Sequence, residues 1–178
     1  MALPDVGADL TLVAEAAAGD QAAFTRLVAD YHPTMARVAY AITGDRESAA
    51  DAVQVAWATA WRRLASLRDR STIRSWLVAI AANEARQVLR RQRRRVIVDI
   101  STVPEPEGAG DPIDRISTVD LARVLRSLNP DERTLLALRF AAGLDSTQIA
   151  AQLGMSASGV RSRLSRLIER LRSDLGHE

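Results

Sequence analysis

Apolar residues recur at helical spacing through most of the chain. In its first half this periodicity predicts four helices, over residues 9–18, 20–43, 46–66 and 72–95. The breaks between them carry turn-forming and capping residues: Gly19-Asp20, Gly44-Asp45 and Arg68-Asp69-Arg70-Ser71. Few aromatic residues and long Ala/Leu/Arg-rich stretches argue against β-sheet. The predicted fold class is therefore all-α.

The third predicted helix has two different faces. A helical wheel places one broad apolar stripe on it, which predicts the core: Ala50, Val53, Trp57, Ala60, Trp61 and Leu64. Four other positions lie elsewhere and are available to a partner: Asp51, Gln54, Val55 and Ala58. Both tryptophans are interpreted as packing residues, because an indole buries a large apolar area.

The fourth predicted helix changes character along its length. It starts apolar and ends polar and strongly cationic, with Asn83, Arg86, Gln87, Arg90, Arg91, Arg93, Arg94 and Arg95. Asn83 and Gln87 lie one turn apart, where amides can hydrogen-bond base edges beside arginines that grip phosphate. This predicts a nucleic-acid surface. The alternative is a solvated helix end whose arginines favour the helix dipole.

Near the C-terminus two short helices flank a glycine turn. Asp145 or Ser146 is predicted to cap the first helix, with Gln148 returning a capping-box bond. Gly154 supplies the left-handed residue that ends it, and Ser156 caps the second helix. This arrangement is typical of a helix-turn-helix whose second helix enters the major groove of DNA.

The second of these helices is amphipathic. Its apolar stripe contains Val160, Leu164, Leu167 and Leu171, with Ile168 and Leu175 at the edge. The polar side carries hydroxyls and arginines: Ser158, Arg161, Ser162, Arg163, Ser165 and Arg166. Small residues allow close approach to the groove, and arginine pairs with guanine or phosphate. The alternative is an ordinary amphipathic helix with a solvated basic face.

Charge divides the chain into three parts. Residues 1–95 contain 14 arginines and 10 acids, residues 96–122 contain 1 and 6, and residues 123–178 contain 9 and 6. The acidic middle is rich in proline and glycine, which predicts a linker. With 178 residues and 47% apolar content, two small helical domains are expected. Their boundaries are placed at 9–95 and 117–176, with the flexible linker at 96–116.

Several function classes are disfavoured by composition. The chain has no cysteine and only two histidines, His32 and His177, so no metal site or histidine-based catalysis is expected. No glycine-rich phosphate loop or nucleophile with a base is present, so neither a cofactor nor an enzymatic activity is expected. With no basic leader and no span-length apolar run, a cytoplasmic protein without membrane insertion is predicted.

Several motifs together carry a family resemblance. In chain order they are Asp51-Ala52-Val53-Gln54, Trp61-Arg62-Arg63-Leu64, Ser75-Trp76-Leu77, Ile80-Ala81-Ala82-Asn83, Leu128-Asn129-Pro130, Leu138-Arg139-Phe140, Gly143-Leu144 and Val160-Arg161-Ser162-Arg163-Leu164. The chain resembles the bacterial extracytoplasmic-function sigma factors, over nearly its whole length. The resemblance implies a region 2 bundle and a region 4 helix-turn-helix that bind core RNA polymerase and promoter DNA.

The resemblance also implies a role for particular residues. Docking on the β′ clamp helices falls to Asp51, Gln54, Val55, Ala58 and Arg62. Recognition of the −10 element falls to the loop Arg68, Asp69, Arg70, Ser71 and Thr72, which would capture a flipped base, and to Asn83, Arg86, Gln87 and Arg90. Recognition of the −35 element falls to Ser158, Arg161, Ser162, Arg163, Ser165 and Arg166. The resemblance further implies that the chain contacts the β flap of the polymerase and that a separate anti-sigma protein inhibits it.

The chain departs from the family pattern at a few positions. Val55 stands where the family usually has glutamate, and Ala79 and Ala82 stand where it has arginines. Two other classes remain open: a helix-turn-helix regulator that acts at operators without polymerase, and an interaction or adaptor protein. The acidic segment between two basic blocks also motivates the hypothesis that promoter-reading faces are buried between the domains.

Overall fold

The computed structural model describes residues 6–98 and 127–175. Within these two ranges seven α-helices run in chain order: α1 Val6–Ala17, α2 Gln21–Thr43, α3 Arg46–Arg63, α4 Ile73–Val98, α5 Pro130–Leu136, α6 Ser146–Leu153 and α7 Ala157–Leu175. Two 3₁₀ turns, Leu64–Ser66 and Arg70–Thr72, join α3 to α4, and a π-helical turn, Ala137–Ala141, continues α5. No strand occurs in either described range, and the predicted all-α class is confirmed.

The first four helices form the N-terminal bundle. Asp20 and Asp45 cap α2 and α3, their carboxylates accepting from the amides of Ala23 at 2.9 Å and Ser48 at 2.7 Å. Gly44 ends α2 at φ +83°, a left-handed conformation that most side chains avoid. The breaks in the apolar pattern therefore coincide with capped ends of helices. The described helix ends at Val98, past the predicted boundary at 95, and the boundary at 116 lies outside the described residues.

The core of the bundle surrounds α2, which packs on α1, α3 and α4. Six alanines there have no exposed surface: Ala39, Ala52, Ala56, Ala60, Ala81 and Ala85. They let the helices approach closely, and the larger side chains of Leu27, Met35, Ile42 and Leu77 fill the spaces between them.

The predicted core stripe of α3 was wrong at two positions. Ala50 is exposed and Trp61 is 40% exposed, whereas Ala49, Ala52 and Ala56 are buried. The helical wheel gave most weight to large apolar side chains and therefore placed the stripe on the side of the tryptophans. In the structure, the alanine-rich side of α3 faces the core. Trp57 and Trp61 instead pack edge-on against Phe24 at the rim, with ring centroids 5.6 and 4.7 Å apart.

Helices α5–α7 form the C-terminal unit, whose starts are fixed by side-chain caps. Asn129 and Glu132 make a capping box at α5, and Asp145 and Gln148 make another at α6. The α6 helix ends at Gly154 with φ +65°, and the Ser156 hydroxyl accepts from the Gly159 amide at 3.0 Å at the start of α7. The predicted helix-turn-helix and its caps are confirmed, with Asp145 rather than Ser146 as the first cap.

The C-terminal unit lies against the N-terminal bundle. The α5 helix and the π-helical turn pack on α2, so the apolar core runs from one unit into the other. Hydrogen bonds between described residues join the units: Arg74 Nη2 donates to the Ala142 carbonyl at 2.7 Å, and Gln152 Nε2 donates to the Ser75 carbonyl at 2.8 Å. The start of α4 therefore touches the helix-turn-helix.

Candidate nucleic-acid interface

The helix α7 presents one apolar and one polar face, as its sequence predicts. Val160, Leu164 and Leu167 are at most 7% exposed and pack the helix on the rest of its unit. The predicted −35 residues are all exposed: Ser158, Arg161, Ser162, Arg163, Ser165 and Arg166. Arg166 Nε donates to the Ser162 carbonyl at 3.3 Å, a weak bond that leaves the rest of its guanidinium available to a base or phosphate.

The predicted −10 residues of α4 lie in two environments. Asn83 and Arg90 are exposed, whereas Arg86 and Gln87 are partly buried. The guanidinium of Arg86 donates to Asn83 Oδ1, and the amide of Gln87 donates to Glu84 Oε1 at 3.3 Å. Both amide groups that were predicted to read base edges therefore have a protein partner in this structure.

Arg86 is a partly buried cation with charged groups of both signs near it. Burial lowers the pKa of its guanidinium, Arg90 lowers it further, and Asp131 of the C-terminal unit acts in the opposite sense. Its Nε atom is buried without a hydrogen-bond partner. Desolvating a cation in this way is costly, so this side chain gains from any movement that exposes it or brings an anion to it.

The loop before α4 is organised by Asp69. Its carboxylate accepts from the Ser71 amide at 3.0 Å and from the Ser71 hydroxyl at 2.6 Å, and its carbonyl accepts from the Thr72 hydroxyl at 2.6 Å. The five predicted loop residues are all exposed: Arg68, Asp69, Arg70, Ser71 and Thr72. The loop is thus a short, internally bonded turn with two arginines free to face nucleic acid.

The predicted polymerase-docking residues share an exposed face of α3: Asp51, Gln54, Val55, Ala58 and Arg62. Beside this face a mainly apolar groove of about 690 Å³ runs between α2 and α3. Tyr40 lines it and is 50% exposed, and Trp57 Nε1 donates to His32 Nδ1 at 3.3 Å along it. Tyr40 was not predicted as a surface residue of interest, although an aromatic residue out of phase with the apolar stripe of its helix was the available signal in the sequence.

A second cleft, also of about 690 Å³, lies between the two units. Its cationic lining joins Arg86 of α4 to Arg163, Arg166 and Arg170 of α7. The structure thus brings one predicted −10 residue and two predicted −35 residues to a single cleft. The other predicted DNA-reading residues do not line it.

An ion pair at this cleft holds α5 to α7. Arg170 Nη2 lies 2.7 Å from Glu132 Oε1. Burial alone would raise the pKa of the Glu132 carboxyl, but the Arg170 hydrogen bond, the Asn129 amide and the Arg170 charge together lower it. This pair was not predicted, because the two residues lie far apart in the chain and only the fold brings them together.

Within the two described ranges, no group of His, Cys, Asp or Glu side chains is placed to hold a metal ion. No helix among the described residues is long and apolar enough to cross a membrane. The described residues do present cationic and hydroxyl-bearing helix faces, whose groups are of the kind that bind phosphate and base edges.

Comparison with known families matches both units. Residues 27–95 match the family described as Sigma-70 region 2, and residues 118–171 match Sigma-70, region 4. The first match covers most of the N-terminal bundle and the second covers most of the C-terminal unit.

Individual proteins are similar over most of this chain. The probable RNA polymerase sigma factor RfaY of Xanthomonas campestris pv. campestris is 34% identical over 90% of the chain, which spans 42% of that protein's length. The ECF RNA polymerase sigma-E factor of Escherichia coli K12 is 33% identical over 90% of the chain and 91% of its own length. Among solved structures, CnrH in complex with the cytosolic domain of CnrY has a TM-score of 0.74 and 27% identity, covering 98% of this chain and 99% of that one.

Proposed function

Because the chain belongs to the sigma-70 family as an extracytoplasmic-function (ECF) sigma factor, a protein that directs RNA polymerase to promoters, we propose a division of that work between its two units. The N-terminal bundle docks on core polymerase and reads the −10 element. The C-terminal unit reads the −35 element as duplex.

The observation that carries this proposal is the exposed face of α7. Three arginines and three serines lie on it, and the opposite face is held by Val160, Leu164 and Leu167. A helix presented in this way after a short turn places its first turns in the major groove, where each good bidentate contact is worth roughly 1–3 kcal/mol of base discrimination. Arg161, Ser162, Ser165 and Arg166 are the proposed reading residues.

The −10 element is read by the loop Arg68 to Thr72 together with α4. Capturing a base flipped out of the stack costs a few kcal/mol of unstacking, which strand opening requires in any case. The exposed Arg68 and Arg70 supply phosphate contacts, and the loop's hydroxyls and amides supply partners for a base edge. Asn83, Gln87 and Arg90 extend this surface along the helix.

Polymerase docking falls to the exposed face of α3. Asp51, Gln54 and Arg62 provide polar contacts to the β′ clamp helices, and Val55, 44% exposed, provides an apolar one in place of the family's usual glutamate. A second contact falls to the π-helical turn of the C-terminal unit, where Phe140 is 64% exposed and is a suitable apolar anchor for the β flap. Such turns inside helices are common at functional sites.

Regulation by a separate anti-sigma protein is part of the proposal. The solved structure of CnrH contains the cytosolic domain of CnrY, and this chain matches CnrH over almost its full length. The protein would act without catalysis of its own and in the cytoplasm, where polymerase and promoter DNA are found.

The experiment that tests the function is run-off transcription with core polymerase from the same organism and a pool of its genomic promoter fragments. Initiation that depends on the added chain, and falls in Arg161→Ala, is the expected result. Arg172→Ala removes an exposed arginine from the far end of α7 and is the matched control. Absence of initiation from a folded preparation, with DNA binding by a homodimer, would favour an operator-binding regulator.

A further inference from the structure

The side-chain amides of Asn83 and Gln87 are held by neighbours of opposite hydrogen-bonding character. The guanidinium of Arg86 donates to Asn83 Oδ1, and the amide of Gln87 donates to Glu84 Oε1 at 3.3 Å. The residues of each pair are three apart, which is the spacing at which side chains on a helix surface are neighbours. The two pairs therefore interleave within little more than one turn of α4, and each amide has one charge-bearing partner.

The chemistry of these partners determines which end of each amide they meet. A guanidinium has only donors, so the Asn83 atom that faces Arg86 has to be the carbonyl oxygen. An ionised carboxylate has only acceptors, so the Gln87 atom that faces Glu84 has to be the amino group. Turning either amide over would oppose two donors or two acceptors and lose a hydrogen bond to a charged group. The two amides are thus held in opposite orientations.

The other end of each amide has no protein partner. No described residue bonds to Asn83 Nδ2 or to Gln87 Oε1. Asn83 is exposed. The buried side-chain polar atoms that lack a partner among the described residues are Arg86 Nε and Gln152 Oε1, so the Gln87 oxygen keeps its access to solvent. Helix α4 therefore presents a donor at position 83 and an acceptor one turn later, at position 87.

Glu84 is an unusual residue for a surface that binds nucleic acid. The second half of α4 is rich in arginine, and a carboxylate there repels the phosphates that the arginines attract. Among the described residues no arginine forms an ion pair with Glu84, and its hydrogen bond goes to Gln87. The carboxylate therefore opposes phosphate binding, and the contact that it makes is with the amide it orients.

A donor and an acceptor select different bases. Guanine and thymine carry a keto oxygen, O6 or O4, where adenine and cytosine carry an exocyclic amine, N6 or N4. These groups can be reached from the major groove of a duplex and also on the edge of a base that has left the stack. The usual bidentate pairing of Asn or Gln with adenine needs both ends of one amide. Here one end of each amide faces a neighbouring side chain, which favours single contacts.

We propose that Glu84 and Arg86 are positioning residues for promoter reading, and that each fixes the orientation of one amide. Asn83 thereby offers its amino group to a keto base, and Gln87 offers its carbonyl oxygen to an amino base. The inference rests on the proposed function, in which these two amides read the −10 element. Glu84 and Arg86 act through the amides they hold, so Arg86 contributes to base selection without contacting a base.

The test is transcription by the full chain with core polymerase from a library of promoters whose −10 element is randomised, each linked to a transcribed barcode that is counted by sequencing. In Glu84→Arg, the new guanidinium is expected to donate to Gln87 Oε1 and turn that amide over. The preference at one promoter position should then change from A or C to G or T, by ~10-fold. Asp30→Arg makes the same change of charge at an exposed site on α2 and should leave every preference unchanged.

A second substitution distinguishes orientation from a general effect of charge. In Glu84→Arg/Gln87→Glu, the side chain at position 87 has only acceptors, so the preference for A or C should return. A preference that stays with G or T in this double variant would contradict the assignment of that promoter position to Gln87.

The other amide is tested by Arg86→Met, which keeps a long side chain in the half-buried site but removes the donor. The preference for G or T at a second promoter position should fall ~10-fold, toward equal use of the four bases, while the position read by Gln87 keeps its preference. A uniform loss of initiation with unchanged base preferences, in this variant and in Glu84→Arg, would mean that the two residues only support the helix, and would overturn the proposal.

The orientation of the amides can be measured without polymerase or promoter DNA. In proton–nitrogen correlation spectra of the free chain, the side-chain amide signals of Gln87 should move in Glu84→Arg and those of Asn83 in Arg86→Met, each without the other. Signals that do not move would overturn the orientation. If the parent chain initiates at no promoter of the library, the proposed function fails and base selection fails with it, while the spectra still decide whether Glu84 and Arg86 hold the two amides.

Discussion

The two units are stabilised in different ways although both are helical. The bundle is built on long helices, 23 residues in α2 and 26 in α4, whose buried side chains come from four separate segments. The C-terminal unit has helices of 7 and 8 residues in α5 and α6, each begun by a capping box. Isolated helices of this length are only marginally stable, so side-chain caps contribute to stability in the C-terminal unit where packing of long helices does so in the bundle. The unit that is proposed to read the −35 element is thus the more locally defined of the two.

The largest expected effect tests the bundle core. Leu27→Ala empties a site that is 1% exposed on α2 and should cost ~2–5 kcal/mol of unfolding free energy, measured by urea titration followed by circular dichroism. Leu10→Ala, at a residue 39% exposed, should cost under ~0.5 kcal/mol. A loss at Leu27 as small as at Leu10 would mean that the bundle does not depend on its core in this way.

The second prediction separates promoter reading from polymerase binding. Arg161→Ala and Arg166→Ala should each weaken recognition of the −35 element by ~1–3 kcal/mol, because each removes a proposed base or phosphate contact from α7. Binding to core polymerase, followed by fluorescence anisotropy, should be unchanged since the proposed docking residues lie on α3 and the π-helical turn. Equal loss of polymerase binding would show the assignment of the α7 face to be wrong.

The third prediction compares one cap with another. Asp145→Ala removes the acceptor for the amides of Thr147 and Gln148 and should destabilise α6 by ~0.5–2 kcal/mol. Asp20→Ala removes a similar cap from the much longer α2. Hydrogen exchange should speed through all of α6 in the first variant but only in the first turn of α2 in the second. The same local response in both would remove the contrast between the units.

The smallest effect concerns pH. The pKa of Glu132 is lower in the folded chain than its ordinary value of about 4.3, so the Arg170–Glu132 pair stabilises the fold above that pH. This contribution disappears as the pH falls through the lowered folded pKa. Since both side chains are partly exposed, we expect under ~1 kcal/mol. The urea midpoint of Glu132→Gln should therefore lie below that of the parent chain at pH 7 and approach it at acid pH, and a constant difference would contradict the linkage.

Local features of the fold could be predicted from the sequence, and tertiary ones could not. The caps at Asp145 and Ser156 and the glycine at 154 act within a few residues, so the pattern alone specifies them. The exposure of Trp61 and the half-burial of Arg86 depend on which elements lie opposite, information that a helical wheel does not contain. The candidate site follows the same division, because the exposed faces of α3 and α7 were predicted, whereas the particular residues that meet at the cleft, Arg86 with Arg163 and Arg166, were not.

The six fully buried alanines of the bundle have a consequence for how such a protein diverges. Replacing one of these alanines by any residue other than glycine adds volume, and overpacking a tight core costs ~1–3 kcal/mol or more. Replacing it by glycine lowers the helix propensity. Few substitutions at these positions are therefore neutral. The outer faces of α3, α4 and α7 bear no such restriction. Duplicated copies of the gene would therefore keep one interior while exchanging the side chains that select promoters and inhibitors, and new regulatory circuits could arise without a new scaffold.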